Sequence, residues 1–425
     1  MGELRECSFR PLANHVSGMI HHYTAAKRLP QMNLESGLIL AGLLSFFASS
    51  ISSAGGLGGG GLYIPILNLV AGLDMKTSAS ISALMVTGST VANVIYHLPA
   101  KHPNFSNKPL IDYDITLMTE PCLLLGVSVG VICNVMFPEW LITMLFAFFL
   151  SFSTFTTWKA GFRRWKQETE QGCRLENKEV GEVASLVVPI LNVESHRGSV
   201  LPWRKLGILA AIWMSFFVLQ ILRGDLQGQS LIHLKPCGVG YWLLFGCQVP
   251  LAILFTVYIL LMEKITVDHH SFGQDQTLGS VQGRAKLLFL LIAVASGSLS
   301  GLFGIAGGMI ISPILLQMGI PPHIAAATTS FMVSFSASMS AVQYLLLGLK
   351  HLDYALCFST LCFISSWIGL VVIQKPIKRY GRASLIVFLV ATIMAISTVL
   401  ITSFGALNVW RESSQGKHMG FKLPC

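Results

Sequence analysis

Two stretches of this chain place glycine clusters and a proline inside apolar runs too long for a soluble loop. The first, SSAGGLGGGGLYIPIL, covers Ser52 to Leu67, and the second, GLFGIAGGMIISPIL, covers Gly301 to Leu315. Aligned on Pro65 and Pro313, they also match Gly56 with Gly304, Gly59 with Gly307, Gly60 with Gly308 and Leu67 with Leu315. Glycine costs a helix interior about 1 kcal/mol and proline about 3, so a repeated cluster of both is a repeated helix break. No Asp, Glu, Lys or Arg occurs from Ser36 to Leu73 or from Leu287 to Leu349. As one straight helix, Leu287 to Pro322 would rise about 54 Å, against a bilayer core of about 30 Å. Tilt cannot absorb that difference, so the chain must break inside the membrane, and Gly304–Gly308 is the least costly place.

Composition supports a membrane chain. Hydrophobic residues make up 53% of the 425 and charged residues 12%, about half the charge of a soluble domain. The expected fold is an all-α polytopic membrane protein of about ten hydrophobic segments. Two homologous repeats each open with a Gly-rich broken or re-entrant helix. The net charge of +9 sits in short basic segments beside apolar spans, as expected of residues that set insertion and meet lipid headgroups. No basic face interleaved with aromatics suggests nucleic acid binding. The nine cysteines form no C-x-x-C pair, so neither a metal centre nor a disulfide framework is indicated, and no cofactor is expected.

Seven regions follow along the chain. Residues 1–36 form a polar N-terminal segment, and 37–157 the first transmembrane repeat. A charged linker of both signs spans 158–204, and linking transmembrane helices 205–262. A polar loop covers 263–285, the second repeat 286–407 and a basic tail 408–425. The linker reads as solvated and partly disordered.

The breaks bear on ligand chemistry. Backbone freed by a break cannot face lipid and must face protein or a wet cavity. A half-helix that starts within the membrane points unpaired N–H groups and a positive dipole end into that cavity, which suits an anion. Such half-helices would begin just past Gly60 and Gly308, and neither broken run holds an Asp or Glu to meet a cation. Close helix packing also explains small-residue clusters, but the four consecutive glycines Gly58–Gly61 exceed what packing needs. The helices after the breaks align too, TSASISALMVTGSTVANVIYH with IAAATTSFMVSFSASMSAVQY, at one residue less separation. Their hydroxyls and amides are a polar lining, although most membrane hydroxyls bond their own helix. The candidate site residues are therefore Gly56, Gly58, Gly59, Gly60, Pro65, Thr90 and Asn93 in the first half. In the second half they are Gly304, Gly307, Gly308, Pro313, Thr328, Thr329 and Gln343.

These residues carry a resemblance. The duplicated glycine motif before proline, followed by an A-x-x-T-S helix at Ala326 to Val333, resembles the TauE/SafE sulfite exporter (TSUP) family, and the charged mid-chain linker resembles its plant-type members. The resemblance covers about 37–157 and 286–407. It implies an integral membrane carrier for sulfite, sulfonates or related anions. Thr328 stands where the first copy has Ile81, so the two half-sites are not expected to be equivalent.

Paired interrupted helices suit a secondary transporter for a small anion, with the proton as candidate coupling ion, whose repeats move against each other. A passive anion channel and a non-transporting scaffold or receptor share the same sequence features. Neither glycine cluster is followed by G-K-[ST], and G-x-S-x-G, H-E-x-x-H and paired intramembrane aspartates are missing, so an ATPase or intramembrane enzyme is not expected. The expected partners are the small anion and the lipid bilayer. The repeats stay open between two arrangements. Basic-residue counting favours parallel repeats, whereas Lys375, Lys378, Arg379 and Arg382 favour inverted ones.

Overall fold

A computed structural model describes residues 34–54, 59–102, 105–178, 202–223, 238–268, 276–305, 307–317, 320, 322–348, 351–380 and 384–414. The first repeat runs through α1 (Leu34–Ala54), α2 (Gly60–Leu69), α3 (Met75–His97), α4 (Tyr113–Met136) and α5 (Glu139–Lys178). Helices α6 (Trp203–Arg223), α7 (Val239–Gly246) and α8 (Gln248–Asp268) link it to the second repeat. That repeat comprises α9 (Gln276–Phe303), α10 (Gly308–Gln317), α11 (Pro322–Leu346), α12 (Leu352–Tyr380) and α13 (Ser384–Ser414). Two short antiparallel strands, Lys101–His102 and Phe105–Pro109, close the turn between α3 and α4. Among the described residues, eight helices are long and apolar enough to cross a bilayer.

Local sequence sets the element ends. The Asp74 carboxylate accepts the Thr77 N–H at 3.0 Å and caps α3, and the Asp112 carboxylate accepts from Asp114 and Ile115 to cap α4. Both caps satisfy N–H groups that a helix start leaves unpaired. Helix α5 continues past 157 to Lys178, so the first part of the expected linker is helical. Its Glu, Lys, Arg and Gln are all strong helix formers, and the span extends beyond the apolar part for that reason. Residues 179–201 lie outside the described residues.

The two repeats pack as exchanged partners. Helix α1 lies on α12, where Gly369 meets the Ser50 backbone. Helix α9 lies on α4, where Gly130 meets the Ser298 backbone. Ser50 and Ser298 are separated by the same offset as the two breaks, so these are equivalent contacts in two halves. In both, a missing side chain lets the backbones touch, the usual membrane device for close approach. Helices α3 and α11 cross between the halves, and α5 packs on α13.

Directions follow from the same contacts. Gly42 meets Phe358 and Ser50 meets Gly369, so α1 and α12 point the same way. Gly88 meets Ser359 and Tyr96 meets Trp367 edge to face, which adds α3 to that direction. Helix α4 runs opposite, because Lys76 at the start of α3 donates to the Val135 carbonyl near the end of α4. Gly126 against Val294 and Gly130 against Leu302 set α9 parallel to α4. The counterparts α1 and α9 therefore point oppositely, and the repeats are inverted. This arrangement puts the C-terminal end of α12, with Lys375, Lys378 and Arg379, on the side where α5 ends.

Candidate substrate site at the two helix breaks

Both apolar runs break where the glycines stand. Helix α2 begins at Gly60 and α10 at Gly308, two positions that the sequence aligns with each other. Gly59 caps α2 with φ 75° and Gly304 turns at φ 61°, left-handed angles open to glycine. Each half-helix folds back along its predecessor. The Ser296 hydroxyl, midway along the membrane part of α9, donates to the Gly307 carbonyl at 2.5 Å. Tyr63 of α2 correspondingly reaches back to Ser49 of α1. The breaks are thus re-entrant turns inside the bundle.

At the second break, side chains occupy the carbonyls. Tyr344 Oη donates to the Gly301 carbonyl at 2.6 Å and Asn134 Nδ2 to that of Leu302 at 2.6 Å. Ser82 donates to Gly304 at 2.9 Å, Ser300 to Ile305 at 2.7 Å and Ser296 to Gly307 at 2.5 Å. Those oxygens are the groups a desolvated cation would need. With those five carbonyls engaged, the backbone donors at the break are the first N–H groups of α10, which have no acceptor within their own helix; that of Ile310 bonds the Gly307 carbonyl at 3.3 Å.

The first break has a different lining. The Ser53, Ser89 and Ser366 hydroxyls form a ring, with Ser53 donating to Ser366 at 2.8 Å, Ser366 to Ser89 at 2.8 Å, and Ser89 3.3 Å from Ser53. Ser49 adds a contact to Ser366 at 2.7 Å. The Tyr63 hydroxyl points at Ser49, Ser89 and Cys362 without closing a regular hydrogen bond. One turn beyond Ser89 on the same face of α3, Asn93 is fully buried and both its amide atoms lack a partner. A buried, unpaired amide costs about 1–3 kcal/mol and is a polar group in search of a ligand or water. The aligned positions in the second repeat are Gly297 for Ser49, Gly301 for Ser53, Ile311 for Tyr63 and Ser340 for Asn93. The half-sites have accordingly diverged, one lined by hydroxyls and the other by capped carbonyls.

The remaining candidate residues divide by partner. Pro65 is buried within α2, and Pro313 falls within α10. Gly304 packs on Ala79, Gly307 on Ser296 and Gly308 on Thr329 and Val333. Thr90 donates to Val86 and Thr329 to Ala325, each within its own helix. Thr328 accepts the Asp112 N–H at 2.9 Å, which ties α11 to the start of α4. Gln343 donates to Ser128 beside Gln220, at the junction of α4, α6 and α11. Gly56 and Gly58 lie outside the described residues. An apolar cluster containing Leu62, Tyr63, Leu302, Phe303, Ile305 and Val333 joins the two breaks, so their common ground is a close-packed core. The Asn93 amide and Tyr63 hydroxyl are polar exceptions near it. Among the described residues no group of His, Cys, Asp and Glu could hold a metal ion.

Sequence reasoning missed Tyr63, Ser53, Ser89 and Ser366, and also the carbonyl-capping Ser82, Ser296 and Ser300. Ser296 and Ser300 were detectable as an i, i+4 hydroxyl pair just before the glycines, a spacing that puts both on one face. Ser366 gave no such signal, since only the fold brings α12 to the first break.

The sequence profile of the family described as Sulfite exporter TauE/SafE matches this chain twice, over residues 38–218 and 199–398. Sulfite exporter TauE/SafE family protein 2 of Arabidopsis thaliana is 50% identical over 409 residues, covering 93% of this chain and 89% of that protein. Family protein 6 of the same plant is 43% identical, covering 93% and 87%. The probable membrane transporter protein YunE of Bacillus subtilis (strain 168) is 30% identical over 87 residues, 20% of this chain and 32% of that protein. No solved structure gives a significant match.

Proposed function

We propose that this chain, which belongs to the sulfite exporter TauE/SafE family, is a secondary transporter that carries a small oxyanion, sulfite or an organosulfonate, across its membrane. The observation that supports this most is the set of five carbonyls at the second break, each taken up by a side-chain donor. Engaging the acceptors at the positive end of a half-helix makes the break selective for negative charge. The Tyr63 hydroxyl and the Asn93 amide supply further donors at the first break. Inverted repeats furnish the motion: exchanging the conformations of the two halves turns an opening on one face into an opening on the other.

Purified protein in liposomes loaded with unlabelled sulfite should take up ³⁵S-sulfite by counterflow. Gly308→Leu places a side chain against Thr329 and Val333 and over the start of α10, and should abolish that uptake in a protein that still elutes as a single species. Undiminished counterflow in the folded variant refutes the site.

A further inference from the structure

Glu120 is a carboxylate in the middle of a membrane helix with nothing to hold it. It lies in α4, is fully buried, and neither of its oxygens has a hydrogen-bond partner. An ionised side chain at membrane depth costs several kcal/mol, and such groups, being rare, mark ion or proton pathways. Among the described residues, charges on the helices around α4 are engaged or peripheral. Lys205 of α6 holds Asp114 at 2.6 Å, and Arg223 donates to Tyr241 and lies over its ring. Lys286 of α9 has its own contact near that helix's polar end, and Tyr344 of α11 is bound to the Gly301 carbonyl. Tyr258 on α8 is half-exposed. Tyr113, two turns before Glu120 on the same face of α4, meets Phe331 of α11 edge to face, and its hydroxyl is also buried without a partner. Among the described residues no cation stands beside Glu120 to balance it.

Its surroundings connect it to the second break. Thr119, next to it, lies 3.9 Å from Met332 Sδ, and Met332 is one turn past Thr329, which backs Gly308. Leu123, one turn further along α4, shares a cluster with Ile311 and Leu315 of the half-helix α10. Pro121 follows Glu120 directly and has no N–H, so the Leu117 carbonyl loses its usual helical donor. That carbonyl is an acceptor one turn away for a protonated carboxyl, and the proline weakens α4 where bending would bring water to it.

We propose that Glu120 is the proton carrier of this protein: it takes a proton from water when α4 opens to one side and releases it to water on the other. The proton adds to the carboxylate oxygen and leaves from it, with no other bond changed. Because α4 and α10 are joined through that cluster, neutralisation at Glu120 and closure of the second break are one event. The inference rests on the transport reading for its role, but the protonation itself can be read without transport.

Infrared spectra of purified protein should show a protonated-carboxyl band at neutral pH that is missing in Glu120→Gln. Identical spectra overturn the proposal, whether or not sulfite is moved. In liposomes, Glu120→Gln should keep sulfite counterflow and lose accumulation driven by a pH gradient. Accumulation retained in that variant, or wild-type accumulation that ignores the gradient, also overturns it. Failure of wild-type counterflow would count against the sulfite carrier, leaving the infrared result to decide Glu120. Should Glu120→Gln not fold, Glu120→Asp replaces it: a shifted pH profile of uptake is expected, and a profile identical to wild type overturns the proposal.

Discussion

The second break should be intolerant of a single methyl group. Gly304 has φ 61°, and a Cβ there would overlap the Ala79 carbonyl oxygen and lie 2.7 Å from the carbonyl carbon. Carbon atoms pack best at about 3.5–4.0 Å, and a helix backbone cannot yield as a side chain can. Gly304→Ala therefore adds a left-handed penalty of about 1–2 kcal/mol to overpacking of about 1–3 kcal/mol, together about 2–5 kcal/mol. Gly72 is the control. Its φ is 69°, but nothing lies within 4 Å of a Cβ built on it, so Gly72→Ala should cost only the backbone share of about 1–2 kcal/mol. Asparagine tolerates left-handed angles, hence Gly72→Asn should be close to neutral while Gly304→Asn remains damaging. Thermal denaturation of detergent-solubilised protein, followed by loss of the monodisperse elution peak, ranks the four variants. Equal effects at both positions would refute the close approach of α3 to the break. Rescue of Gly304→Ala by Ala79→Gly would also refute it, because the obstacle is the Ala79 backbone.

Other consequences can be checked by simple substitutions. Ser300→Ala leaves the buried Ile305 carbonyl without its donor and should lower stability by about 1–3 kcal/mol, whereas Ser296→Ala should cost less because the Ile310 N–H still bonds the Gly307 carbonyl; the same denaturation assay measures both. Tyr63→Phe removes a hydroxyl that has no regular partner, so stability should hold or rise while sulfite counterflow weakens. Pro99→Cys, at the turn after α3, and Leu352→Cys, at the start of α12, occupy equivalent turns of the two repeats. In a background lacking the native cysteines, a membrane-impermeant maleimide should label them from opposite faces, and labelling from the same face contradicts inversion.

Much of this fold can be read from the chain because membrane physics leaves few options. The span lengths, the break positions and the correspondence of Gly60 with Gly308 depend only on local residue types and a repeated offset. The orientation of the repeats is different in kind. It depends on which helices touch, as at Gly369 with Ser50 and Gly130 with Ser298, and charge counting points the other way. The hydroxyl ring at the first break was hidden for the same reason, since Ser366 belongs to α12, far along the chain. Glu120 was visible as a lone carboxylate before a proline in an apolar span, but it lies outside the glycine runs that draw attention first. The charged extension of α5 reads as a linker by composition, yet its residues favour helix individually.

The claim that the breaks hold a small anion by backbone N–H groups is tested most directly with selenite, an electron-dense relative of sulfite. In crystals grown with it, anomalous scattering should place selenium within hydrogen-bonding reach of the first N–H groups of α2 or α10. At the first break, Tyr63 or Asn93 should share the contact. Selenium bound only by lysines and arginines at the helix ends, with both breaks unoccupied at saturating selenite, would contradict the account.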